Sequence, residues 1–118
     1  MKLQAILATL WLLTICLLST VPVPKGEGVS AILNLGHIGV YTILVILFGF
    51  TFKNRVGWIS SSVASIPLTE LLQLFIPWRD SNLLDIANNG IGVILGSLIF
   101  SLIANVTQSK RRESGGAT

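Results

Sequence analysis

Charge is what this sequence has least of. Asp, Glu, Lys and Arg make up 11% of its 118 residues, where soluble domains carry about 25%. A fold with an ordinary water-facing surface is excluded. Cysteine occurs once, at Cys16, so no intrachain disulfide can form. That cysteine sits inside an apolar run and reads as a small packed or lipid-facing residue. Histidine also occurs once, at His37, which leaves no compact metal motif such as H-E-x-x-H. No internal repeat and no low-complexity segment is present. The net charge of +3 does not point to nucleic acid. The basic residues lie at the ends of apolar runs, where they anchor and orient helices.

Apolar residues fill the space that charge leaves. They make up 52% of the chain, with a mean hydropathy of +0.79. The composition is that of an integral membrane protein. Residues 3–21 carry no charge and are long enough to span a bilayer. They lack an Ala-x-Ala-like cleavage site, and Ile15 is too large to precede a lipoprotein cysteine. They read as an uncleaved first span. Pro22, Pro24, Gly26 and Gly28 then make a loop. Residues 35–52, 57–76 and 85–106 supply three more spans, with Trp58 as an interfacial anchor. Residues 107–118 form a polar cytoplasmic tail, expected to be disordered from Glu113 onward. The predicted architecture is an all-α integral membrane bundle of four transmembrane helices with short loops.

Orientation follows from the bases. Lys2, Lys53, Arg55, Lys110, Arg111 and Arg112 fall on one side of such a bundle, Lys25 and Arg79 on the other. The positive-inside rule places both termini in the cytoplasm. Glu70 then lies about 9 Å below the outer end of the third span and Tyr41 about 9 Å below that of the second, at 1.5 Å per residue. His37 and Gln73 sit one turn above them, on the same faces. Asp85, Asn89, Gly92 and Gly96 form one stripe along the fourth helix. The spacing predicts that this stripe meets the Glu70–Gln73 face, in one polar layer near the outer surface.

Most of these residues have ordinary explanations. Gln73 and Asn89 suit interhelical hydrogen bonds worth about 0.6 kcal/mol each, and Gly92-x-x-x-Gly96 suits close helix packing. Pro67 denies Val63 its backbone partner, and Ser62 and Ser65 are placed to serve freed backbone groups. Glu70 is harder to explain away, because an ionised side chain near the membrane centre costs about 2.5–3.5 kcal/mol. Pairing with Arg79 is its structural explanation; contact with a ligand is the functional one.

The ordered set His37-x-x-x-Tyr41, Glu70-x-x-Gln73, Pro77, Arg79, Asp85, Asn89, Gly92 and Gly96 resembles the VanZ-like family of small bacterial membrane proteins. The resemblance covers residues 33–102. Two departures stand out: Leu33-Asn34 occupy positions where members often carry Asp-Lys, and Trp78 stands where many have Gly. The family takes its name from an accessory protein of glycopeptide resistance. The resemblance implies a bacterial inner-membrane protein of the cell envelope that contributes to antibiotic resistance.

A binding protein is the first functional expectation. His37, Tyr41, Glu70, Gln73, Arg79, Asp85 and Asn89 would line an outer-leaflet pocket for a lipid, a lipid-linked wall precursor or a lipoglycopeptide. Counting the outer loops, the acids Glu27, Glu70, Asp80 and Asp85 outnumber the bases Lys25 and Arg79, which favours a cationic group on the ligand. The alternative is a membrane enzyme acting on a lipid-linked substrate, with His37 and Glu70 as base and acid and Arg79 holding phosphate. No recognisable nucleophile supports it. No cofactor, metal or nucleic-acid partner is expected; membrane lipids are, and a homo-oligomer is left open.

Overall fold

Four helices form where breakers are sparse: α1 (Leu3–Leu18), α2 (Val29–Thr51), α3 (Arg55–Leu74) and α4 (Leu83–Gly115). The computed structural model describes residues 3–22, 26, 28–78 and 83–116, and no strand occurs among them. Arg79, together with Lys2, Lys25, Glu27 and Asp80 from the charge count, lies outside the described residues.

The helix ends differ from expectation for local reasons. α1 stops short of Val21, whose N–H closes a turn onto Leu18 O at 3.3 Å. Pro22 disfavours helical backbone in the residue before it. α2 starts at Val29 rather than Leu35, behind Gly28 with φ 80°, a backbone conformation that suits glycine. Asn34, read as loop, is a helical residue whose side-chain oxygen accepts from Asn88 Nδ2 at 2.9 Å. Asn54 caps α3, its side chain accepting from the Gly57 N–H at 2.6 Å. α4 does not end near Val106. Its last turns contain Gln108, Lys110, Arg111, Arg112 and Glu113, good helix formers with no glycine or proline before Gly115. The expected disorder from Glu113 is therefore corrected: helix continues to Gly115. At 33 residues α4 is about 50 Å long and sets the long axis of a body 62 × 31 × 20 Å.

Two segments, Ala31–Thr51 in α2 and Leu83–Gly115 in α4, are long and apolar enough to cross a membrane. α1 is apolar but has only 16 residues. α3 is diluted by its polar residues, and a stripe of five of them faces inward. Ser62, Ser65, Thr69, Glu70 and Gln73 are buried, while Val56, Ile59, Val63, Leu68, Leu71, Leu74 and Phe75 are exposed. α3 thus inverts the pattern of a helix in a water-soluble protein, which turns its apolar stripe to the core.

α2 is the hub. It contacts all three other helices, α4 most extensively. The apolar core gathers Ala8 and Ile15 from α1, Tyr41, Leu44, Val45 and Phe48 from α2, Trp58 from α3 and Val93 from α4. Trp58 is not an interfacial anchor. It is buried, donates its indole N–H to Val45 O at 2.9 Å and lies edge-on to Phe100 at 4.8 Å. Trp11 ties α1 to α2 in the same way, donating to Val40 O at 2.9 Å. The hydroxyls of Ser62 and Ser65 bond Trp58 O and Ser62 O at 2.8 and 2.6 Å, so neither serves the carbonyl of Val63.

Candidate functional site

A line of polar side chains crosses the bundle at the end where α2 and α4 begin and α3 finishes. His37 projects from the third turn of α2, and Asp85 and Asn89 from the first two turns of α4. His37 Nδ1 lies 2.9 Å from Asn89 Oδ1, and His37 Nε2 lies 3.6 Å from Asp85 Oδ1. Asn89 Nδ2 donates onward to Glu70 Oε1 at 3.5 Å. The chain Asp85–His37–Asn89–Glu70 thus links two acids through an imidazole and an amide. Its outer members are partly open, with His37 and Asp85 side chains 18% and 19% exposed, while Glu70 and Asn89 are buried.

One turn deeper, Tyr41 is 1% exposed. Its hydroxyl lies 3.1 Å from the Ser65 carbonyl and 2.5 Å from Thr69 Oγ1, and Thr69 in turn donates to Ile66 O at 3.0 Å. Thr69 and Ser65 were passed over as site residues. Their signal was the helical recurrence of polar positions at 62, 65, 69 and 73 within an otherwise apolar run.

The α4 stripe faces α2 more than α3. A Cβ at Gly92 would stand 2.7 Å from both Ile38 O and Tyr41 Cβ, and one at Gly96 would stand 2.7 Å from Thr42 O. Thr42 Oγ1 donates to Ile38 O at 2.7 Å and approaches Gly92 O at 3.3 Å. The expected meeting of the α3 and α4 polar faces is carried by the Asn89–Glu70 bond.

Beside this layer is a cavity of about 350 Å³ between the end of α1, the start of α2 and the end of α3. Its wall is mainly apolar, with Ile15, Leu18, Val21, Ile32, Leu33 and Val40. His37, Tyr41, Thr69, Gln73 and Asn89 make its polar side. Gln73 is 1% exposed, and its side-chain oxygen has no hydrogen-bond partner among the described residues. A buried polar atom left in that state costs about 1–3 kcal/mol.

No family model, curated relative or solved structure matches the chain. The site therefore rests on its own geometry. It joins His37, Asn89 and Glu70 by hydrogen bonds, places Asp85 3.6 Å from His37, and sets Tyr41 and Gln73 beside them on the cavity. Arg79 lies outside the described residues. Among those residues no group of three or more His, Cys, Asp or Glu gathers closely enough to hold a metal ion. An apolar cavity with a few convergent polar groups is the usual form of a small-molecule site.

Proposed function

We propose that this chain is a VanZ-like protein of the bacterial inner membrane, with four spans and both termini inside, whose cavity binds an amphipathic molecule of the envelope. Lipids, lipid-linked wall precursors and lipoglycopeptides all have the required chemistry, an apolar chain joined to a polar head. Glycopeptide susceptibility is the matching phenotype. The character of α3 supports a lipid setting: Val56, Ile59, Val63, Leu68, Leu71 and Leu74 are exposed on it, while Ser62, Ser65, Thr69, Glu70 and Gln73 are buried. Wide exposure of Ile32, Leu35, Ile94, Leu98 and Leu102 on α2 and α4 supports it too.

The single observation that carries the binding reading is the Gln73 oxygen, buried and unpartnered, on a residue lining a cavity with an apolar wall. Packing alone would have placed a leucine there at lower cost. Gly36 offers the test. It lines the cavity, and nothing lies within 4 Å of a Cβ built on it, so Gly36→Phe adds bulk at the cavity wall from a position whose first carbon meets no clash. The protein is released from its membranes and weighed by native mass spectrometry. A retained small-molecule mass on the wild type, absent from a Gly36→Phe variant of unchanged melting temperature, is expected. The same mass on both proteins would refute binding in this cavity.

A further inference from the structure

Bases gather at the end of the bundle away from the cavity. α2 and α4 run parallel: Gly92 lies against Tyr41, Gly96 against Val45 and Gly49 against the Phe100 ring. α2 finishes at Thr51, just past Gly49, whereas α4 continues from Phe100 to Gly115. α4 therefore overhangs α2 by about 20 Å at 1.5 Å per residue. Every residue from Asn105 to Gly116 is exposed. Lys110, Arg111 and Arg112 stand on this overhang, and Lys53 and Arg55 stand at the junction of α2 and α3 beneath it. All five are exposed, and none has an ion-pair partner among the described residues. Glu113 is the acid beside them there.

Below the bases the same helix is apolar. Leu98, Leu102, Val106 and Lys110 recur every four residues, so they share one helix face. Leu98, Leu102 and Val106 are each more than half exposed. From Leu83, about 20 residues carry a helix across the hydrocarbon of a bilayer. That count ends near Leu102, puts Val106 at the boundary and Lys110 one turn beyond it, at the depth of the lipid phosphates. A phospholipid laid along this face has its chain on Leu98 and Leu102, its glycerol beside Val106 and its phosphate at the three bases. A soluble polyanion would meet the bases and leave the leucines bare.

Resting on the membrane-crossing of α4 proposed above but not on the cavity, we propose that this face and its basic overhang bind a phospholipid with a net negative head, such as phosphatidylglycerol, in preference to a zwitterionic one. Lys110 offers the phosphate a point charge, and Arg111 and Arg112 offer planar donor forks that match its oxygens. Lys53 and Arg55 add to the positive field at this end. The ammonium of a phosphatidylcholine head opposes that field, so net charge decides between the two lipids.

Nanodiscs of equal phosphatidylglycerol and phosphatidylcholine provide the test. The full chain is reconstituted in them and ejected into a mass spectrometer, and the lipids it retains are identified. Phosphatidylglycerol is expected to be enriched about fivefold, what one base near an anionic surface contributes. Lys110→Gln, Arg111→Gln and Arg112→Gln together should bring the two lipids to parity. Helix content by circular dichroism should hold, because these side chains are exposed and glutamine is a good helix former. Enrichment should shrink between about 0.1 M and about 1 M salt, as the screening length falls from about 10 Å to about 3 Å. Gly36→Phe, at the cavity, should leave it intact. Parity in the wild type, or enrichment that survives the triple change, would overturn the proposal. Enrichment kept in the triple variant and lost in Gly36→Phe would place the anionic lipid in the cavity, overturning this surface and supporting that site. Glycerophosphoglycerol, the head group without chains, should fail to displace the lipid; displacement would overturn the lipid as occupant. A chain that does not enter nanodiscs would overturn the membrane reading and the proposal with it.

Discussion

His37 and Asn89, 52 positions apart, meet at 2.9 Å through Nδ1 and Oδ1, and this contact sets the direction of the whole polar line. The Glu70 carboxylate accepts, so the Asn89 amide nitrogen faces it. That leaves Asn89 Oδ1 to face the imidazole, where it also accepts. His37 must therefore donate from Nδ1, which turns Nε2 toward Asp85.

The first prediction follows from that polarity. When the ring is neutral, its proton resides on Nδ1. The chain has one histidine, so selective nitrogen-15 labelling gives a single imidazole whose two nitrogens are distinguished by their chemical shifts. A proton on Nδ1 in the wild type, with the preference lost in Asn89→Ala, is the expected result. A neutral ring protonated on Nε2 would reverse the donor assignment along the line.

A second prediction concerns two glycines of one helix. Gly92→Ala puts a methyl 2.7 Å from Ile38 O and Tyr41 Cβ, where α4 closes on the backbone of α2. Backbone must move apart there, and overpacking of this kind costs about 1–3 kcal/mol. Gly90→Ala meets nothing within 4 Å and should gain about 0.5–1 kcal/mol from reduced backbone freedom. Melting temperatures in one detergent should shift in opposite directions. Destabilisation of equal size at both positions would mean the close approach at Gly92 is not the cause.

Glu70 provides a third. Asn89 is 1% exposed and donates to Glu70. Glu70→Gln retains an oxygen to accept that bond, whereas Glu70→Leu leaves a buried amide N–H without it, at about 1–3 kcal/mol. Chemical denaturation should rank the wild type and Glu70→Gln together, above Glu70→Leu. A Glu70→Leu protein as stable as the wild type would show that the bond contributes nothing to folding.

What could be read in advance divides along physical lines. Periodicity carries information about faces, and the polar positions at 37, 41, 70, 73, 85 and 89 are separated by whole turns, so their grouping at one level was legible. Helix ends were less so. An apolar run marks hydrophobicity rather than helix, which is why the polar turns of α4 beyond Val106 and the helical place of Asn34 escaped notice. Trp58 was misread because an indole beside a charged segment suits an interface, while its N–H equally suits a backbone carbonyl inside the core. Partners distant in sequence left no local trace: nothing near Asn88 announces Asn34, and nothing near Gln73 announces that its oxygen goes unmatched.

The last prediction decides the number of spans. α2 and α4 meet the length and hydropathy of a membrane crossing, and α1 and α3 do not. In the four-span arrangement proposed here, α1 crosses despite its 16 residues, about 24 Å at 1.5 Å per residue. α3 crosses with its polar stripe turned inward and its leucines outward. Position 53 between α2 and α3 and position 114 near the end of α4 then share a side, with position 26 on the other. If only α2 and α4 cross, positions 26 and 114 share a side and position 53 is opposite. Single cysteines at Gly26, Lys53 and Ser114, introduced in a Cys16→Ser background, separate the two. A membrane-impermeant maleimide applied to intact cells should label position 26 alone. Labelling of position 53 without position 114 would put the ends of α2 and α4 on opposite sides of the membrane, and would overturn both the four spans and the parallel packing of α2 and α4 in which His37 meets Asn89.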